Sequence, residues 1–245
     1  MKRVSTILGL LAALCATPAV AQTVTVVEEW VVVESTASRY VSALQQQTEQ
    51  AAIAAYGPFR VIDASTVALV GITDAASPAH FSAMLDAFPA IDTLEFVEAP
   101  GTHDDRANLA LGRMIRERGI ATRADHGGSV RSGAVELFLA GTTMEIAPDS
   151  QFAVHGWLDD WGRGAEDYPA EAPEHRRYLD YYVEMGMNES QARAFYAMTN
   201  SVPFEDALWL TGREMRDWVG AAPEGDGREE SVRALAYLDF EPVLQ

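Results

Sequence analysis

Residues 127 to 157 read GGSVRSGAVELFLAGTTMEIAPDSQFAVHGW, where a glycine turn leads to a serine, a short apolar segment and a second apolar segment that ends in histidine. The apolar residues after Ser132 predict a short buried helix. Phe152 and Val154 predict a strand that carries His155 back toward the start of that helix. Ser132 is therefore a candidate nucleophile and His155 its candidate base, because a serine hydroxyl attacks only when a neutral imidazole can take its proton.

Strand-like segments and amphipathic segments alternate along much of the chain, a pattern typical of α/β proteins. The predicted strands cover residues 23–33, 60–63, 66–70, 93–97 and 120–124, and the predicted helices cover residues 37–56, 78–88, 105–118, 174–185, 189–198 and 211–219. Repeated strand-helix units predict a parallel sheet with helices on its faces. Functional residues of such sheets gather at the carboxyl ends of the strands, where the Pro100-Gly101 loop, Ser132 and His155 all fall.

The first 21 residues have the features of an export signal, since a basic start and an apolar run precede the small residues Ala19-Val20-Ala21. We predict cleavage before Gln22 and a periplasmic or secreted mature protein. An uncleaved anchor is the alternative, but the apolar run is shorter than the ~20 residues of a membrane span. Residues 22–58 are predicted to form an N-terminal strand and helix, and residues 59–245 the main domain.

The sequence is strongly acidic, with 18 Lys and Arg against 36 Asp and Glu and a net charge of −18 at pH 7. Because such a chain repels phosphates and anionic lipid surfaces, we expect no nucleic-acid partner. We also expect no stable membrane insertion after signal cleavage, since no later segment is long and apolar enough to cross a membrane. The single cysteine, Cys15, and the single lysine, Lys2, lie in the predicted signal. Their removal excludes thiolate catalysis and a serine-lysine dyad, so a serine nucleophile must use histidine or a carboxylate.

Three segments, in this order, resemble the ClpP/crotonase superfamily, and in particular its exported, ClpP-like serine peptidase branch. LEFVEAPGTHDDRANLALGRMIRERG is similar to the family's oxyanion loop and following helix, GGSVRSGAVELFLAG to its turn with a serine at a helix start, and APDSQFAVHGW to its strand that ends in the catalytic histidine. The resemblance covers roughly residues 60 to 220. It implies a ClpP/crotonase-like parallel sheet of strand-helix units, with flanking helices and a helical C-terminal part.

The resemblance also implies an activity, that of an ATP-independent serine hydrolase acting on a peptide or small acyl substrate. Ser132 would attack the acyl carbon, His155 would relay the proton, and backbone N–H groups near Gly101 and Gly133 would hold the oxyanion. No cofactor or metal is expected, and members of the superfamily usually assemble as homo-oligomers. The chain departs from the family pattern at Thr102, where a second glycine is usual.

The third member of the triad is expected in the segment PFEDALWLTGREM, where Asp206 is the first choice and Glu205 the alternative. Two other interpretations of the serines remain open: Ser132 as a helix N-cap without catalysis, and Ser129 as the nucleophile. Residues 103–105, His-Asp-Asp, are too few to predict a metal site.

Three other functions are alternatives to an active hydrolase. A catalytically inactive ClpP-like member could serve as a binding or assembly module. Acyl-CoA chemistry of the crotonase kind is disfavoured by export and by the acidic charge, and a lipase-type enzyme by the absence of a Gly-x-Ser-x-Gly elbow.

A group of aromatic residues at helical spacing is predicted to lie in the core or a subunit interface, with a substrate groove as the alternative: Tyr178, Tyr181, Tyr182, Phe195, Tyr196 and Trp209.

Overall fold

A computed structural model of the chain describes residues 42 to 220, so the predicted signal and the predicted strand 23–33 lie outside the described residues. The strands in this part are β1 (Ala54–Tyr56), β2 (Phe59–Val61), β3 (Thr66–Val70), β4 (Thr93–Ala99), β5 (Ala121–Ala124), β6 (Ser129–Arg131), β7 (Met144–Ile146), β8 (Gln151–Val154) and β9 (Leu208–Thr211). The helices are α1 (Ala43–Ala51), α2 (Ser77–Ala87), α3 (Asp105–Glu117), α4 (Gly133–Leu139), α5 (Pro173–Glu184), α6 (Glu189–Thr199) and α7 (Gly212–Val219), with a short 3₁₀ helix at Ala165–Asp167.

The strands between residues 42 and 220 form one mixed sheet whose centre is parallel. Strands β3, β4, β6 and β8 run parallel in that order, while β1 and β2 add an antiparallel hairpin at one edge and β9 an antiparallel strand at the other. Strand β4 divides the sheet, because its first half pairs with β5 and its second half with β6. Strand β5 pairs in turn with β7, also in parallel. The predicted α/β class with a largely parallel sheet is confirmed.

Helix α4 is fixed to the sheet by a row of buried aromatic rings. The ring centroids of Phe96 on β4 and Phe138 on α4 lie 5.3 Å apart, and those of Phe138 and Phe152 on β8 lie 5.1 Å apart. All three side chains are fully buried. Burial of each ring is worth roughly 1.5–3 kcal/mol, so the C-terminal end of α4 is held firmly against β4 and β8.

Helix α5 packs on α3 and α4 through tyrosine side chains. The hydroxyl of Tyr181 donates a hydrogen bond of 2.6 Å to the backbone carbonyl of Glu136 on α4. Residue 112 on α3 must be glycine, because a Cβ there would lie 1.9 Å from the Tyr181 hydroxyl oxygen. Helix α5 is therefore fixed to both α3 and α4. Across the described residues, no helix combines the length and apolar character that a membrane crossing requires.

Some predicted boundaries are wrong. The predicted helix 37–56 ends at Ala51 and residues 54–56 form β1, because a hairpin around Gly57 pairs them with β2. Residues 129 and 130, which follow the two glycines of the predicted turn, belong to strand β6. Strands β7 and β9 were not predicted. The three C-terminal helices begin and end within a residue of prediction.

Candidate active site

The candidate site is a cleft of about 630 Å³ that contains both Ser132 and His155. It lies where the parallel strands β4, β6 and β8 end, since Thr102 follows β4, Ser132 follows β6 and His155 follows β8. Residues from the loop after β8 and from α5 and α6 complete its walls. Ser132 and His155, which we expected at one edge of the sheet, therefore line the same cavity.

Ser132 has a strained backbone at the junction of β6 and α4. Its φ of 50° and ψ of −133° make it the one non-glycine residue with positive φ in the described part of the chain. Its N–H donates to the carbonyl of Ala153 at 2.8 Å, while its hydroxyl makes no capping hydrogen bond to α4. An N-cap residue would have an extended backbone and a bonded side chain. The geometry therefore disfavours the N-cap interpretation and leaves the hydroxyl available in the cleft.

The His155 ring is positioned by a backbone carbonyl. Its Nδ1 lies 2.8 Å from the carbonyl oxygen of Gly156, and its ring packs edge-on against Phe204 at a centroid distance of 4.8 Å. A carbonyl oxygen only accepts, so Nδ1 carries the proton and Nε2 of the neutral ring keeps a free lone pair. No hydrogen bond joins Ser132 and His155 within residues 42–220. Resting catalytic contacts are often long and tighten only when substrate binds.

The structure does not bring Asp206 to His155. Asp206 is exposed in a turn in which its N–H donates to the carbonyl of Pro203 at 3.1 Å. The side chains of Glu205 and Asp206 make no hydrogen bond to the imidazole, and the Gly156 carbonyl takes the place next to Nδ1 where an acid was expected. Sequence reasoning could not have found this partner, because every residue carries the same carbonyl.

The two predicted oxyanion residues flank Ser132. Gly101 has a φ of 130°, and a Cβ at this position would lie 3.0 Å from the Cβ of Ser132. Within the described residues, the N–H groups of Gly101 and Gly133 donate to no protein acceptor. The unusual Thr102 packs against Gly133, because a Cβ at Gly133 would lie 2.5 Å from the Thr102 methyl carbon. Its hydroxyl lies 3.3 Å from the carbonyl oxygen of Thr73 and 3.2 Å from that of Asp104, while its methyl group occupies the space next to Gly133.

The buried side-chain amide of Asn108 on α3 links the segment that contains Gly133 to the segment that contains Gly101. Its Nδ2 donates to the carbonyl of Gly133 at 2.6 Å, and its Oδ1 accepts from the Thr73 hydroxyl at 2.9 Å. The N–H of Thr73 in turn donates to the carbonyl of Gly101 at 3.0 Å. Asn108 is 2% exposed, so these bonds have no competition from water. Asn108 was not predicted as a site residue from the sequence, where it is visible only as a single amide residue on the apolar face of α3.

Other residues considered from the sequence have structural roles. Ser129 is buried in β6 and does not line the cleft. The Asp104 side chain caps α3 by accepting from Ala107 N–H at 2.9 Å, and Asp105 accepts from the Tyr178 hydroxyl at 2.7 Å. In the described part of the chain, no three His, Cys, Asp or Glu side chains converge as a metal site would require.

Glu136 is a cleft residue that the sequence interpretation missed. It lies on α4 one helical turn after Ser132, and its side chain is buried. The Tyr182 hydroxyl donates to its Oε1 at 2.9 Å. Burial raises the pKa of Glu136 from 4.5 to about 7, the Tyr182 hydrogen bond opposes this increase, and the negative charge of Asp105 adds to it. The signal was present in the sequence: SGAVELFLAG contains one charged residue in an otherwise apolar segment.

Comparisons with known proteins found no matching family model and no similar curated protein. Similar solved structures include a membrane-bound stomatin-specific protease, determined as a mutant in complex with a substrate peptide, at 15% identity over 66% of this chain and 77% of that chain, with a TM-score of 0.42. Another is a ClpP1 mutant from Listeria monocytogenes, at 16% identity over 67% of this chain and 95% of that chain, with a TM-score of 0.44. The function therefore has to be inferred from the site itself.

Proposed function

We propose that the protein is an exported, ATP-independent serine hydrolase, and most directly a ClpP-like peptidase. The observation that carries this proposal is the backbone of Ser132, which is strained, presents an uncapped hydroxyl and lies in the same cleft as His155. Strained backbone of this kind costs about 1–3 kcal/mol and concentrates at functional sites. A serine with only a structural role at a helix start would cap the helix and avoid that cost.

The proposed reaction begins with proton transfer from the Ser132 hydroxyl to Nε2 of His155. The serine oxygen attacks the acyl carbon, and the N–H groups of Gly101 and Gly133 stabilise the resulting oxyanion. The imidazolium then protonates the leaving group, and water hydrolyses the acyl-enzyme by the same steps. Throughout these steps, the Gly156 carbonyl accepts from Nδ1–H and keeps the ring oriented. Asp206 is the alternative orienting group, which would require the 203–206 turn to move.

A fluorophosphonate probe, which reacts with activated serines, tests the proposal directly. We expect labelling of the wild type and of Ser129→Ala, and none of Ser132→Ala. The Ser129 variant is the matched control, because it removes a neighbouring serine that lies outside the cleft. Equal labelling of wild type and Ser132→Ala would remove Ser132 from the role of nucleophile.

A catalytically inactive binding or assembly module is the second candidate function. It is favoured by the absence of a hydrogen bond between Ser132 and His155, and by the Thr102 side chain beside Gly133. No labelling of the folded wild type, and an unchanged phenotype when Ser132 and His155 are both replaced by alanine, would support this candidate over the enzyme.

The proposal includes removal of residues 1–21 on export and assembly of the mature chain into a homo-oligomer. It rests on the signal-like N-terminus and on the family resemblance. Mass spectrometry of the protein recovered from the periplasm or the medium would locate the new N-terminus. Light scattering on the purified mature chain would give its mass in solution, and a monomer would argue against the oligomer.

A further inference from the structure

Glu136 is placed to contact a substrate in the proposed active site. It follows Ser132 by four residues and lies in the first turn of α4. It lines the same cleft, although only 9% of the residue is exposed. A group bound to Ser132 through its acyl carbon could therefore extend a side chain toward Glu136.

Among residues 42–220, no cationic side chain pairs with the carboxyl group of Glu136. Tyr182 bonds Oε1, and no other residue in the described part of the chain donates a hydrogen bond to Oε2. None of the ion pairs among the described residues includes Glu136. The nearby charged group on α3, Asp105, is also acidic and repels it. A buried carboxylate without a cation is costly, and a positively charged ligand would remove that cost.

Aromatic side chains line the cleft together with Glu136. Trp157 stacks on Tyr178 with ring centroids 6.1 Å apart and planes inclined by 21°, and its Nε1 donates to the Tyr196 hydroxyl at 2.8 Å. All three residues line the cavity, as does Tyr182. Aromatic faces attract Lys and Arg side chains through cation-π interactions. A wall of this kind beside a buried carboxyl group is suited to an organic cation.

The remaining charges of the cleft agree with a cationic ligand. Several further carboxylates line it, among them Asp104, Asp159 and Glu174. In all, the lining holds six carboxylates (Asp104, Asp105, Glu136, Asp159, Asp160 and Glu174) and three arginines (Arg106, Arg163 and Arg177), of which Arg163 is paired with Asp159 at 2.8 Å. The net field in the cleft is therefore negative, which attracts cations and repels acyl groups that carry phosphates.

We propose that Glu136, with the aromatic wall of Trp157 and Tyr178, forms a subsite for a cationic side chain, so that the substrates are peptides or other acyl compounds carrying Lys or Arg beside the bond that is cleaved. This inference rests on the proposed hydrolase function. The ammonium or guanidinium group supplies the ion pair that Glu136 lacks. The same group stacks on the aromatic wall, so a neutral side chain of equal length gains only the apolar contact.

The test compares a lysine substrate with its uncharged counterpart in wild type, Glu136→Gln and Glu145→Gln. The substrates are the p-nitrophenyl esters of Nα-acetyl-lysine and Nα-acetyl-norleucine, which differ in the side-chain ammonium group. Glutamine can still accept from Tyr182, and Glu145 is an exposed residue on β7 outside the cleft. We expect wild type and Glu145→Gln to prefer the lysine ester at least about tenfold in kcat/KM, and Glu136→Gln to lose most of that preference.

A binding measurement separates failure of the subsite from failure of the hydrolase. N-acetyl-lysine amide and N-acetyl-norleucine amide are titrated against Ser132→Ala, with tryptophan fluorescence as the readout. Tighter binding of the lysine amide that disappears in Ser132→Ala/Glu136→Gln supports the subsite even if no ester is hydrolysed. Equal affinity for the two amides, or a preference that survives the Glu136 substitution, would overturn it.

Discussion

Replacing Glu136 by Gln should change how the stability of the protein depends on pH. The substitution keeps the size of the side chain and an oxygen that can accept from the Tyr182 hydroxyl, but it removes the titrating group. Glu136 is surrounded by Asp105 from α3 and by Tyr178, Tyr181 and Tyr182 from α5, and none of these groups is cationic. The wild-type carboxyl group must therefore give up its proton in an unfavourable environment as pH rises.

The size and sign of the effect follow from the pKa of Glu136. Burial raises it from 4.5 to about 7 in the folded protein, so the unfolded chain loses this proton at lower pH than the folded chain. The stability contributed by the protonated group is fully present below pH 4.5 and is lost as pH rises to about 7. At about 1.4 kcal/mol per pH unit, the loss is about 3 kcal/mol.

Urea denaturation of wild type and variant at pH 5, 6, 7 and 8 measures this difference. Because part of the loss already occurs below pH 5, we expect the free energy of unfolding of Glu136→Gln, relative to wild type, to increase by about 2.5 kcal/mol across the series. The exposed Glu145→Gln is the control, and its difference from wild type should stay nearly constant. A difference between wild type and Glu136→Gln that does not change with pH would refute the argument.

Two further substitutions test how the site is held together. Asn108→Leu removes the donor to the Gly133 carbonyl and the acceptor of the Thr73 hydroxyl. We expect the free energy of unfolding, measured by urea denaturation, to fall by about 2–4 kcal/mol, and fluorophosphonate labelling to become slower. If neither quantity changes, this network does not position the site. Asp206→Asn should leave the labelling rate unchanged, because His155 is bonded to the Gly156 carbonyl; a fall of about 10⁴-fold, typical when a triad acid is lost, would assign the orienting role to Asp206.

The sequence predicted the elements that carry strong local patterns. Short segments rich in apolar residues identified β3 and most of β4, and amphipathic spacing identified α3 within one residue of its end. Residues 54–56 were assigned to the helix 37–56, but pairing with β2 overrides the local helical preference of this alanine-rich segment. Strand β7 has only three residues, and its conformation is set by its neighbour β5 rather than by its own composition.

For the candidate site, the sequence predicted where Ser132 and His155 lie in the fold, but not the groups that position them. Ser132 and His155 were placed at the same edge of the sheet because both follow apolar strands, and the structure puts them in one cleft. The group that orients His155 could not be predicted, because it is a main-chain carbonyl. Asn108 acts through two distant segments, so only the three-dimensional arrangement reveals its role. Glu136 could have been found as the charged residue of an apolar helix.

The division of the sheet at β4 affects which parts of the protein can open independently. Through its first half β4 supports β5 and β7, and through its second half it supports β6, β8 and β9. Local unfolding that begins at β7 can pass to β5 and end at β4 without breaking any backbone hydrogen bond next to Ser132 or His155. Amide protons of β5 and β7 can thus exchange with solvent through openings that leave intact the half of the sheet that carries Ser132 and His155.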